Sequence, residues 1–219
     1  MKKVKQVLLP PNLDICSDFE SLVNECIENE TDIKNTKIVD VFISDNSFTK
    51  NDFENIILDH CTYNNVDFSK CFFENVHFNN CSFLNCDFSA SYFRQCKIEN
   101  SQFKGSIFNE CNFNDVLILE SDMKYTNFTS AKLKVCQISK ADMSDSFFAE
   151  CSFSDFNISD TKFIRTEFFQ TKLADIDFTS CDISGISVSD NASELRGIIV
   201  DLYQAAELSK LLGVVIKDT

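Results

Sequence analysis

Hydrophobic and polar residues recur along most of this chain with a period of five. From Thr31 to Asp190 the sequence divides into 32 five-residue units without insertion or deletion. The third place of every unit is large and apolar, from Ile33, Ile38, Ile43 and Phe48 through to Val188, and 17 of the 32 are Phe. The first place is mostly small or β-branched (Cys61, Val66, Cys71, Val76, Cys81). The second, fourth and fifth places are mostly polar. A helix repeats at about 3.6 residues and a strand at about 2, so neither fits. The pattern predicts a chain that turns after each unit and points two of its five side chains inward. Four units close a square circuit, and 32 units build eight coils. At one strand spacing per coil the column is roughly 38 Å long. One ladder of inward side chains reads Phe48, Phe68, Phe88, Phe108, Phe128, Phe148, Phe168, Val188, and another Ile38, Leu58, Phe78, Ile98, Ile118, Ile138, Ile158, Phe178. One coil is too thin to hold a core, and stacking supplies it. The array contains no proline, as backbone N–H groups that bond the next coil require.

The flanks follow other rules, so the chain divides into residues 1–30, 31–190 and 191–219. Residues 17–30 carry an apolar stripe (Phe19, Leu22, Val23, Cys26, Ile27) behind a Ser17/Glu20 capping box, which predicts a helix. Val4 to Leu9 reads as a strand that ends at Pro10-Pro11. Beyond the array, Ile198–Val200 and Val214–Ile216 read as strands around a helix from Asp201 to Leu212, with Asp201 and Gln204 as its box and Gly213 as its stop. Both ends are expected to cap exposed coil edges.

Composition narrows the class. The 219 residues include only 4 Gly and 2 Pro but 23 Phe, which excludes a linker-like or collagenous chain. No apolar stretch approaches the roughly 20 residues of a membrane span. Val7-Leu8-Leu9 is too short for a signal-peptide core, so a cytoplasmic protein is expected. A net charge of -14 disfavours nucleic acid and favours basic partners. All eleven Cys numbers end in 1 or 6, and the nine in the array occupy the inward first place. They are expected to be buried thiols, neither metal ligands nor disulfides, Cys61 and Cys81 included.

The unit is similar to the A(D/N)LXX repeat of the pentapeptide-repeat family, as in Thr31-Asp32-Ile33, Val66-Asp67-Phe68, Cys86-Asp87-Phe88, Ala141-Asp142-Met143 and Cys181-Asp182-Ile183. That resemblance implies an all-β solenoid, a right-handed quadrilateral β-helix of about eight coils with a short helix at each end. Within the family, Leu195-Arg196-Gly197, Tyr203-Gln204-Ala205 and Leu208 to Gly213 resemble the C-terminal segment of the Qnr-type quinolone-resistance branch. The resemblance implies a homodimer whose acidic rod imitates DNA and occupies DNA gyrase or topoisomerase IV, relieving quinolone poisoning. Many Qnr-type proteins interrupt the repeats with loops that touch gyrase, and this array has none. Its excess of acidic over basic residues is also under half of the about 22 charges on a 38 Å duplex.

No catalytic or cofactor-binding constellation emerges, and an enzyme is the least favoured class. His60 and His77 sit at outward places and are expected to be exposed. Candidate contact residues are Asp67 and Asp87, stacked in one outward column, the outward pair Phe72 and Tyr92, and Phe147 with Phe169. Ile107, Leu117 and Leu119 add outward apolar groups. The candidate dimer interface is the Leu208, Leu211, Leu212 stripe. Exchange of the arm before Pro10-Pro11 is the alternative. The competing function is a repeat scaffold for protein–protein contact that leaves gyrase untouched.

Overall fold

A computed structural model describes residues 2–29 and 31–217. The period of five becomes a square β-solenoid. Its parallel pairings join each unit to the fourth unit after it, as in the unbroken series Ser47, Asp67, Asp87, Ile107, Asn127, Phe147, Glu167, Ser187. We number the walls by their first units: 31–35, 36–40, 41–45 and 46–50. The first and second walls carry an eleven-stranded parallel sheet, while the third holds three strands (Phe42–Ser44, Thr62–Asn64, Ser82–Leu84) before it turns more tightly. The fourth wall is joined by single bridges throughout.

Two features make the corners. The fifth residue of every unit from Asn35 to Asp175 lies at positive φ, and beyond them Ser180 departs from the pattern while Gly185 resumes it. This left-handed conformation costs an L-residue about 1–2 kcal/mol unless it is Gly, Asn or Asp, which explains the Asn and Asp at this place. The first-place side chain completes the corner. Cys71 Sγ donates to Phe48 O at 3.0 Å, Ser91 Oγ to Phe68 O at 3.0 Å and Cys111 Sγ to Phe88 O at 2.9 Å. A small side chain with a hydrogen to give is therefore favoured, and Cys and Ser serve alike.

The ring ladder is as expected. Phe88 lies 5.3 Å from Phe68 and 5.0 Å from Phe108, with planes nearly parallel. Third-place side chains are buried except Phe153 and Val188, which are half-buried. Phe153 stacks at 4.4 Å on Phe156, a large residue at a normally small first place, so that coil is overfilled. All eleven cysteines are unpaired thiols, and the nine in the array are buried.

The ends depart from the sequence reading in several ways. Helix α1 spans Phe19–Glu28 and is capped by Asp18, whose Oδ1 accepts from Ser21 N at 3.1 Å, rather than by Ser17. Its Phe19 plugs the first coil, 4.9 Å edge-on from Phe48. An unanticipated strand, β1 (Asp14–Cys16), pairs with Thr36–Ile38. Val4–Leu9 joins no sheet. At the far end, Ile198–Val200 contributes one bridge, Asp177 to Ile199, and Val214–Ile216 is not a strand. Helix α2 (Leu202–Leu211) has the expected Asp201/Gln204 box. No helix among the described residues is long and apolar enough to cross a membrane.

Candidate functional site

The four walls are chemically unlike. On the first three, nine of the eighteen carboxylates meet a basic side chain. Arg94 meets Glu74 at 3.4 Å on the first wall, Lys37 meets Asp59 at 2.9 Å on the second, and Arg165 grips both oxygens of Asp145 at 2.7 Å on the third. Lys37 and Asn79 hold the Asp59 carboxyl below the usual carboxylate range. The fourth wall presents Asp67, Asp87, Glu110, Glu150, Glu167 and Asp190 against only Lys50 and Lys70. Among the described residues, every ion pair lies elsewhere.

Asp67 Oδ1 accepts from Ser69 N at 2.8 Å and Asp87 Oδ1 from Ser89 N at 2.7 Å. Each carboxylate closes its own turn. Asp122 and Asp142 on the third wall close the same turn and still meet Lys124, so it is the absence of a neighbouring lysine that leaves the fourth wall unpaired. The predicted stacking of Asp67 on Asp87 is present as a direct bridge. Both are half-buried, so their role is structural as well as electrostatic. Phe147 and Phe169 share this wall, 44% and 39% exposed, with Ile107 in the same outward column as Phe147. The site thus combines unpaired acids with an apolar line.

Phe72 and Tyr92 lie instead on the first wall, their rings 6.3 Å apart and Tyr92 half exposed. Leu208 is buried, whereas Leu211 and Leu212 are exposed, as are Leu202 and Tyr203 at the other end of the helix. His60 is exposed, but His77 is not. Its side chain is 22% exposed, with Nε2 3.2 Å from Glu99 Oε2. Burial and Lys97 lower its pKa, so at neutral pH it is uncharged. It lines one cleft with Val4, Lys5 and Val7 of the N-terminal segment. No group of three His, Cys, Asp or Glu among the described residues is placed to hold a metal ion.

Residues 71–140 match the family model described as a pentapeptide repeat region. Over that stretch the chain carries pentapeptide repeats. No curated protein matches its sequence. Among solved pentapeptide-repeat structures, trypsin-treated QnrB1, a plasmid-mediated fluoroquinolone resistance protein, is similar at 16% identity. It has a TM-score of 0.37, over 83% of this chain and 100% of that one. HetL, involved in heterocyst differentiation regulation in the cyanobacterium Nostoc sp. strain PCC 7120, is 10% identical over 78% and 92%, with a TM-score of 0.34. A pentapeptide repeat protein from the Arabidopsis thaliana thylakoid lumen is 21% identical over 59% and 86%, with a TM-score of 0.36.

Three elements of this repeat protein escape sequence reasoning. The first is the uneven pairing of its walls, which depends on which lysines fall in which vertical column. The second is the C-terminal cap. Along the fourth wall each fifth-place N–H bonds the carbonyl just before the residue stacked on it, as in Glu150 N to Phe169 O at 2.8 Å. At the last coil Gln170 N bonds the Glu194 carboxylate instead, at 2.8 Å. The third is the course of residues 2–9.

Proposed function

We propose that this protein is a non-enzymatic cytoplasmic binding rod whose fourth wall engages a basic, DNA-binding surface of a type II topoisomerase, DNA gyrase or topoisomerase IV, in place of duplex DNA. The observation that carries the reading is the fourth wall itself, acidic and, among the described residues, without an internal ion pair. Charges already paired on the other walls have less to offer a cationic partner, whereas unpaired carboxylates attract it at long range. The C-terminal sequence resemblance nominates the topoisomerase. It also nominates a homodimer through the C-terminal end, where Leu202, Tyr203, Leu211, Leu212 and Val215 are 41–83% exposed. Isolated exposed apolar residues are ordinary, but this concentration favours an interface.

The test is gyrase supercoiling and quinolone-induced cleavage with the native protein and with Glu110→Lys/Glu150→Lys/Glu167→Lys. Native protein should alter both activities, and the triple variant should not. Asp67 and Asp87 are better changed to Asn, which preserves the turn-closing acceptor. No effect of native protein on either assay at tens of micromolar dimer would refute the topoisomerase reading. A second reading, a scaffold for some other protein, is favoured by the Phe72–Tyr92 pair, of which Tyr92 is exposed. It predicts that Tyr92→Ala, and not the triple charge reversal, abolishes partner binding.

A further inference from the structure

Residues 2–9 run lengthwise along the corner between the first and second walls, across the coils rather than with them. Leu8 N donates to Asn75 Oδ1 at 2.9 Å, and Asn75 Nδ2 donates back to Leu8 O at 2.7 Å. Lys5 N donates to Asp115 Oδ1 at 3.3 Å, and Lys2 N to Asp155 Oδ1 at 3.3 Å. The arm steps back by three residues each time the corner steps on by two coils. The two periods match, since an extended chain advances about 9.6 Å in three residues and two coils rise about 9.6 Å.

The corner is shaped for this. Of all fifth-place side chains in the array, only Asn75, Asp115 and Val135 are buried, and all three lie on this corner. Val135 has φ 53 and is the one β-branched residue in the array with positive φ. A β-branched side chain there is strained, yet it gives the track an apolar floor at the coil between Asp115 and Asp155, under the stretch of arm between Lys5 and Lys2. Val4 and Val7, three apart, line a cleft of about 350 Å³ with His77, Lys97, Leu117 and Leu119. The outward Leu117 and Leu119 are half-buried. Lys5 Nζ also lies 3.8 Å from Asp115 Oδ2.

All these hydrogen bonds to the arm read its main-chain N–H and C=O, so any chain of the same spacing can make them. We propose that this corner is a binding track for an extended, lysine-bearing peptide segment of another protein, with apolar residues three apart, and that residues 2–9 are its built-in competitor. The arm supplies the ligand's chemistry: main-chain N–H groups every third residue, valines between them and a cation opposite Asp115. The corner borders neither edge of the fourth wall, so the proposal goes beyond the topoisomerase reading and its test stands apart from it.

The test uses the full chain and a fluorescein-labelled peptide of residues 2–11, followed by anisotropy. In Val4→Asp/Val7→Asp the resident arm should be released, and the peptide should bind saturably. It should bind the native protein at least about tenfold more weakly, because the tethered arm competes at an effective concentration near millimolar. Adding Asn75→Leu should weaken binding by about tenfold, since two main-chain bonds are lost. A peptide with its valines moved off the three-residue spacing should not bind. Absence of saturable binding to the folded released-arm variant, or binding indifferent to Asn75→Leu, overturns the proposal. In the native chain the amides of Leu8 and Lys5 should exchange more slowly than those of Gln6 and Leu9. Equal exchange overturns the seating without recourse to any variant.

Discussion

Replacing Val135 with Gly should change stability in opposite directions depending on whether the arm is seated. In the left-handed region the side chain costs about 1–2 kcal/mol, which Gly relieves. Gly returns roughly 0.5–1 kcal/mol of that as unfolded-chain entropy. Burial of the valine, 5% exposed, contributes a further 1.5–3 kcal/mol or so to the native state. With the arm in place, Val135→Gly should therefore destabilise by about 1–2 kcal/mol. With the arm released by Val4→Asp/Val7→Asp the burial contribution falls away, and the same change should be neutral or stabilising by up to about 1 kcal/mol. Urea midpoints at unchanged m-value for the four proteins close a double-mutant cycle. A coupling below about 0.5 kcal/mol would refute the placement of the arm over Val135.

Thiol titration should show two classes. Cys71, Cys86, Cys96, Cys111, Cys136 and Cys151, pushed up to about 12 by burial, should react only on unfolding, and the half-buried Cys16 and Cys26 promptly. Prompt reaction of all eleven would contradict a closed core. Phe88→Ala should cost about 3–5 kcal/mol as a large-to-small core change between two stacked rings, read as a lowered urea midpoint. Asp59 has a depressed folded pKa, so its contribution is present above the ordinary carboxylate pKa and lost as pH falls through the folded value. Asp59→Asn should accordingly flatten the acid limb of a pH–stability curve while leaving its alkaline limb alone.

The column is legible because period five demands two inward places, and one slip anywhere in the 32 units would throw large side chains outward. Its corners are less so. The Asn and Asp at fifth places look like mere solvated polarity, although their left-handed backbone is what turns the chain. Val135 is the visible exception in that column and marks the arm's floor. Val4 and Val7 look like part of a strand, because a three-residue stripe and a two-residue stripe cannot be told apart over so short a segment. His77 reads as solvated because its place is outward, yet most second-place side chains along the second wall, Lys37, Ile57, Gln137 and Asn157 among them, are half-buried. The C-terminal strands fail where the register slips. Asp175 N bonds Gly197 O and Phe178 N bonds Ile199 O, two or three residues beyond the carbonyl that the array's register would supply, and Ala192 turns through φ 47 to allow it. Apolar runs alone do not report such a slip.

On the topoisomerase reading, the fourth wall constrains what kind of DNA surrogate the rod would be. Its six carboxylates against two lysines leave a net of four charges over roughly 38 Å, where a duplex of that length carries about 22. A phosphate-dense imitation is therefore ruled out, and the partner must read a few fixed carboxylates. Asp67 and Asp87 are pinned by their own turns, so little side-chain freedom remains to be lost on contact, which favours binding by preorganisation rather than by charge number. The salt dependence distinguishes the two. If each net charge acts as a phosphate would, four of them give a slope of at most about 3.6, or roughly a hundredfold weakening between 50 and 200 mM salt. A loss of about ten-thousandfold would require carboxylates recruited from walls where they are already paired, and would refute the fourth wall as the whole contact. Insensitivity to salt would place the affinity in Ile107, Phe147 and Phe169 instead, and the charge reversals would then leave binding intact.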